Sequence, residues 1–123
     1  MKKVYYAHHV WKYGTEIEAW ELDLIRQFFD RYKIINPRDA IEQGRPEENI
    51  MADCLQKVKE CDAFVFSSLS GVIGKGVYRE IRHAARLGRP AYYLHHGRIE
   101  EAKNVRLQTI HPQSDRAYAA VWL

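Results

Sequence analysis

The run Ala63-Phe64-Val65-Phe66-Ser67-Ser68-Leu69-Ser70-Gly71-Val72-Ile73-Gly74-Lys75-Gly76 decides how this chain folds. Its first four residues are apolar without alternation, the pattern of a strand covered on both faces. The Ser/Gly segment then opens onto a helical pattern from about Gly76. Val77, Ile81, Ala84 and Ala85 form the inner face of that helix, Arg79, Arg82 and Arg86 its outer face, and Gly88 its C-terminal stop. A strand that passes through a polar turn into a helix is the first half of a βαβ unit.

Similar units flank it. Val4-Tyr5-Tyr6-Ala7 reads as a strand ending at His8-His9. Gly14 and Thr15 then open a helix with Ile17, Trp20, Leu24, Ile25 and Phe28 on one face, and Thr15 with Glu18 fits a capping box. Residues 32–35 are a short buried strand closed by Asn36-Pro37, and residues 38–46 form a polar loop suited to a mobile lid. From Glu47, the positions Ile50, Met51, Cys54, Leu55, Val58 and Cys61 mark a helix that ends at Asp62. Pro90 leads into a strand at 91–94, and residues 105–110 and 118–122 each have strand composition. Because parallel strands need right-handed crossovers, the succession predicts one Rossmann-like or flavodoxin-like α/β domain over residues 1–123. Its parallel sheet has about five strands, with helices on both faces.

Composition narrows the function. The 123 residues, 46% hydrophobic, suffice for one core without staples. Cys54 and Cys61 lie seven apart on one predicted helix and read as reduced thiols. A net charge of +3 comes from 19 basic and 16 acidic residues that interleave along the chain, so no nucleic-acid polymer is expected as a partner. Neither a signal-peptide pattern nor an apolar stretch of spanning length is seen, so a cytoplasmic protein with no membrane contact is expected.

In such sheets ligands bind beyond the carboxyl ends of the strands, here His8-His9, Asn36-Pro37-Arg38, Ser67 to Gly76, and His95-His96. The segment from Ser67 to Gly76 supplies hydroxyls, an ammonium and unhindered N–H groups just before a helix, a place that favours a phosphate. Its candidate binding residues are Ser68, Ser70, Gly71, Gly74, Lys75 and Gly76, with His8. It is no Walker A loop, since Lys75 is followed by Gly76. Glu80 falls at the margin of the apolar stripe in the first turn of the next helix, where a carboxylate faces the sheet. The two His-His pairs invite a metal reading, yet an intervening strand sets them about 10 Å apart. No metal and no other cofactor is expected.

Tyr5-Tyr6-Ala7, then Asp53 and Asp62, then Gly76-Val77-Tyr78-Arg79-Glu80-Ile81-Arg82-His83-Ala84 followed by Leu87-Gly88-Arg89-Pro90, resemble the nucleoside 2-deoxyribosyltransferase-like superfamily. That superfamily includes hydrolases of deoxynucleoside 5′-monophosphates. The resemblance implies Glu80 as nucleophile, a first-strand tyrosine that orients it (Tyr5, with Tyr6 as the register alternative), and a helix-two aspartate. The last maps onto Asp53 if one residue is inserted before Asp62, and onto Cys54 without a gap. The sequence departs from the pattern at Tyr78, Arg82 and Gly74, which alters packing on the site and removes an aspartate from the loop. The resemblance therefore implies cleavage or transfer of an N-glycosidic bond on a (deoxy)nucleoside or its 5′-monophosphate. It also implies a homo-oligomer, most simply a dimer, in which helix-two or C-terminal residues, Asp115 to Trp122 being the obvious donor, complete the neighbouring site. The rival expectation is a non-catalytic nucleotide-sensing domain in which Glu80 is a helix cap.

Overall fold

Val4, Tyr5, Tyr6 and Ala7 are all fully buried, which a strand permits only when both of its faces are covered. The computed structural model describes residues 1–110 and 117–122 and shows how that cover is built. In chain order it contains β1 (Lys3–Ala7), α1 (Glu16–Phe28), β2 (Lys33–Ile35), α2 (Pro37–Ala40), α3 (Glu47–Glu60), β3 (Ala63–Ser67), β4 (Val72–Gly74), α4 (Lys75–Arg86), β5 (Ala91–His95), β6 (Arg98–Glu101), β7 (Val105–Thr109) and β8 (Ala117–Trp122). Short 3-10 turns lie at Val10–Lys12 and Ala102–Asn104.

The main sheet has the order β2-β1-β3-β5-β6. Its first four members are parallel, and β6 closes the edge antiparallel to β5. Tyr5, Phe64, Phe66 and Tyr93 point to the face covered by α3 and α4, while Val4, Tyr6, Val65 and Leu94 point to the face covered by α1. The expected α/β architecture with cover on both sides is therefore present. β3 lies between β1 and β5, so the two His-His pairs end on strands that are not neighbours. Cys54 and Cys61 are free and buried. No helix among the described residues is long and apolar enough to cross a membrane.

Three features differ from the sequence reading. β4, β8 and β7 form a second, antiparallel sheet of three strands, so the strands expected at 105–110 and 118–122 are present but lie outside the main sheet, and Val72–Gly74 within the Ser/Gly segment is a strand paired with β8; Asp115 lies outside the described residues. The β5–β6 hairpin turns on His96 and Gly97, both at positive φ (51° and 73°), a mirror-image turn without the usual Asn-Gly signal. The third difference is the orientation of α1. Ile17, Trp20 and Phe28 are about half exposed, and the positions turned inward are Glu18, Glu21 and Ile25. The carboxyl ends of β1 and β3 bring His8, Lys12 and Ser67 under the helix, and buried polar groups need partners. The two glutamates supply them. Trp20 instead leans over the Gly97 turn, and Phe28 packs edge-on against Tyr92.

One knot ties the loop after β1 to the end of β3. Lys12 Nζ donates to both Glu21 oxygens (3.0 and 3.2 Å), to Ser67 Oγ (2.9 Å) and to the Ser68 carbonyl (2.7 Å). Ser67 and Tyr6 hydroxyls donate to the same carboxylate. Removing one member strands a buried charge. Lys12→Met is expected to cost about 3–5 kcal/mol in urea unfolding, and Lys12→Met/Glu21→Leu to recover much of that loss. Equal stability of single and double variants would show that the knot is solvated.

Candidate active site

α4 begins where β4 ends, with Gly74 as its N-cap, and its first two turns carry Val77 and Glu80 inward. The Glu80 carboxylate is 5% exposed, and the Tyr5 hydroxyl donates to its Oε2 from the middle of β1. Alternation along β1 puts Tyr6 on the other face, where its ring stacks on His8 and its hydroxyl meets Glu21. Tyr5 is thus the first-strand tyrosine that reaches Glu80. Cys54, on the inner face of α3, places its thiol against both Glu80 and Tyr5. Burial raises the Glu80 pKa to about 7, against the pull of hydrogen bonds from Tyr5 and Cys54. Burial first, then the Glu80 carboxylate, pushes the Cys54 thiol up to about 11 and the Tyr5 phenol well above its ordinary value.

Glu80 forms part of the floor of a cavity of about 450 Å³. One wall is His8, His9, Val10 and Tyr13 from the loop after β1; a second is Gln43, Arg45, Glu47, Ile50, Met51 and Cys54 from the approach to α3 and its first turns; a third is Gly74, Lys75 and Gly76. Both glycines allow a close approach. A Cβ at 74 would lie 3.3 Å from the His9 ring, and one at 76 would lie 3.2 Å from Met51 Cε. A second hollow of about 500 Å³, walled by Ile81, Ala85, Pro90, Ala91, Val105 and Leu107, sits at the amino ends of the strands, away from the buried carboxylate.

The cavity is polar at two ends of opposite character. His9 Nδ1 accepts from the Trp11 N–H (3.0 Å), so in the neutral ring Nε2 carries the proton, beside Gly74 and the α4 N-terminus. That end is rich in donors. Gln43 Nε2 donates to two carbonyls, Pro37 (3.2 Å) and Ile41 (2.9 Å), which fixes the amide and leaves Oε1 as its acceptor. With Glu47, it puts acceptors on the opposite wall, beside the Arg45 guanidinium that is paired with Asp53.

Several sequence candidates sit elsewhere. Asp53 is half exposed and paired with Arg45 (2.7 Å), outside the cavity; helix periodicity turns Cys54 inward instead. His8 lines the cavity, yet both its nitrogens are committed, Nδ1 to the Tyr6 carbonyl (3.1 Å) and Nε2 to Glu18 (2.7 Å). The carbonyl can only accept, so a further proton lies between Nε2 and the carboxylate. Glu18 also receives the Gly14 N–H at 3.1 Å and forms an ion pair with the Arg38 guanidinium, whose Nε lies 3.1 Å from its carboxylate. Burial pushes Glu18 up, and the His8 and Gly14 hydrogen bonds more than reverse this, holding it below the usual carboxylate value. Ser70 and Gly71, both at positive φ (52° and 83°), form a tight turn between Leu69 and Val72, and Ser68 flanks it. Ser68 Oγ is spent on the Gly71 N–H (3.1 Å) and the Tyr93 hydroxyl (2.9 Å). Of the Ser/Gly segment only Gly74, Lys75 and Gly76 reach the cavity. Tyr13, Gln43, Arg45 and Glu47 were not singled out in sequence as cavity residues, whereas His9 was expected as part of the His8-His9 strand end and Cys54 as the ungapped alternative to Asp53; the Trp11 and Gln43 contacts that orient His9 and Gln43 depend on turns no spacing rule displays.

No family model matches this chain, and no curated protein does. Among solved structures it is similar to the 2-desoxiribosyltransferase of Leishmania mexicana, with a TM-score of 0.54 and 21% identity over 77% of this chain and 66% of that one. The match spans just under two thirds of the transferase's own length. The fold is nucleoside 2-deoxyribosyltransferase-like.

The raised pKa of Glu80 has a consequence for stability. Folded, the group binds its proton more tightly than unfolded, so its ionisation weakens the fold as pH rises from about 4.5 through about 7. Glu80→Gln should leave stability unchanged near pH 4 and raise it by roughly 1–3 kcal/mol at pH 8, read by urea unfolding at the two pH values. A variant less stable at pH 8 would place Glu80 in contact with water.

Proposed function

We propose that this protein cleaves or transfers the N-glycosidic bond of a nucleoside or nucleoside 5′-monophosphate, with Glu80 as nucleophile. The observation that carries the reading is a buried carboxylate, oriented by the Tyr5 hydroxyl, on the floor of an open cavity at the carboxyl ends of parallel strands. The likeness in fold to a 2-desoxiribosyltransferase supports it.

In the first step a Glu80 oxygen bonds to the anomeric carbon as the C–N bond breaks. The departing base keeps that electron pair and takes a proton from solvent. In the second step water, or the nitrogen of another base, attacks the anomeric carbon, Glu80 leaves as the carboxylate, and the proton shed by the attacking water or nitrogen passes to solvent. Tyr5 fixes the Glu80 oxygen by donating to it. Asp53, turned toward Arg45, takes no part, and Cys54 fills the position beside the nucleophile. A 5′-phosphate would sit at the donor end, on Gly74, Lys75 and Gly76 with the His9 Nε2–H. The base would meet Gln43 and Glu47. Half-exposed Trp20 and exposed Trp11 support a homodimer, since side chains of that size favour burial in a partner.

Incubation with deoxynucleoside 5′-monophosphates should release free base, and Glu80→Gln should lower the rate by at least about 1,000-fold. Since only ionised Glu80 attacks, kcat/KM should rise about ten-fold per pH unit and level off near pH 7. Asp53→Asn should stay within about three-fold of wild type, whereas Tyr5→Phe should lose about 10-fold or more. Saturable nucleotide binding without base release would favour the sensing domain.

A further inference from the structure

The two faces of α4 have opposite characters. Residues 75–89 hold five of the chain's 19 basic residues, Lys75, Arg79, Arg82, Arg86 and Arg89, against one acidic residue, Glu80. Glu80 is turned inward and buried, so nothing on the outer face of the helix offsets Arg79, Arg82 and Arg86. The charges that interleave along the sequence are thus segregated by the fold. His83 stands beside them, and among the described residues none of these four has an ion-pair partner. Like charges at i, i+3 and i+4 destabilise a helix, so the arrangement weakens the protein unless something neutralises it.

The same side chains, with Leu55 and Tyr78, line a groove of about 300 Å³ between α3 and α4. Arg82 is already oriented there: its Nη1 donates to the Tyr78 hydroxyl (2.9 Å), and its guanidinium lies 5.8 Å from the Tyr78 ring centre. Tyr78 in turn stacks on Tyr118 at 3.7 Å between ring centres.

We infer that this groove binds a short chain of linked phosphates, at a site separate from the cavity over Glu80. Guanidinium forks match phosphate oxygens in pairs, and Arg79, Arg82 and Arg86 offer about one fork per turn over about 10 Å of helix. The ring in the groove is committed to Tyr118 and Arg82, so no free aromatic face remains for a base. Recognition is therefore by charge, and the size of the groove fits a small polyphosphate rather than a long strand.

The test titrates the protein with inorganic tripolyphosphate by calorimetry at about 0.1 M salt, beside Arg82→Gln/Arg86→Gln and, separately, His9→Ala. Both arginines are exposed, and circular dichroism checks that the double variant folds. Saturation of the wild type, at least about ten-fold weaker binding in the arginine variant and unchanged binding in His9→Ala is the expected result. No saturable binding, or a loss in His9→Ala instead of the arginine variant, would overturn the proposal. So would tighter binding of a short single-stranded oligonucleotide than of tripolyphosphate, which would make the face a nucleic-acid surface.

Discussion

Holding the Glu80 carboxylate out of water against the Tyr5 hydroxyl is the constraint on which the neighbouring elements converge. Ionised, such a group gives up several kcal/mol of hydration unless hydrogen bonds replace it. Tyr5 and Cys54 replace part of it, and the rest appears as a pKa raised to about 7. To reach Glu80, β1 must direct Tyr5 toward α4 while Tyr6 goes the other way, α3 must turn Cys54 inward, and α4 must start within one turn of β4. The stacked rings of Tyr5 and Phe64, 5.8 Å apart, fix the tyrosine from the neighbouring strand.

The opposite face of the same two strands is held by charge. Lys12 with Glu21, and His8 with Glu18 and Arg38, bind the loop after β1 to α1 and to the start of α2. These pairs contribute little net stability compared with apolar packing, and they set a geometry. Because His8 is clamped, the next residues enter the 3-10 turn at a fixed angle, and His9 and Tyr13 arrive on the cavity wall. Thr15 caps α1 through the Glu18 N–H at 3.2 Å, as a capping box requires, while the Glu18 side chain turns to His8 and the Gly14 N–H. One residue thus serves both helix start and loop anchor.

How much of this was legible depended on whether local pattern and tertiary demand agreed. The unalternating run 63–66 declared a doubly covered strand and the β-rich run 4–7 a strand, and they are β3 and β1. Glu80 stood out because a carboxylate on an inward helical position is costly wherever the sheet lies. α1 misled because its apolar residues Ile17, Trp20 and Phe28 do keep helical spacing, yet all three are about half exposed, with Trp20 against the β5–β6 turn and Phe28 against Tyr92 rather than beneath the centre of the sheet. Periodicity reports that a stripe exists; it does not say which neighbour the stripe meets. The serines of 67–70 misled in a similar way, since a hydroxyl near a helix start serves a ligand or its own turn with equal ease.

The sequence by itself determined the parallel α/β core, the place of α4 after β3, and the identity of the inward carboxylate, because these follow from residue periodicity and from the cost of burying charge. Only the tertiary structure decided that Tyr5 rather than Tyr6 meets Glu80, that Cys54 rather than Asp53 stands beside it, and that His9 rather than His8 keeps a free N–H toward the cavity. In the first two of these pairs one step along the chain turns a side chain by half a revolution on a strand or by about 100° on a helix. In the third, the choice rests on whether Glu18 or Trp11 arrives to fix the ring, and packing between distant segments sets that.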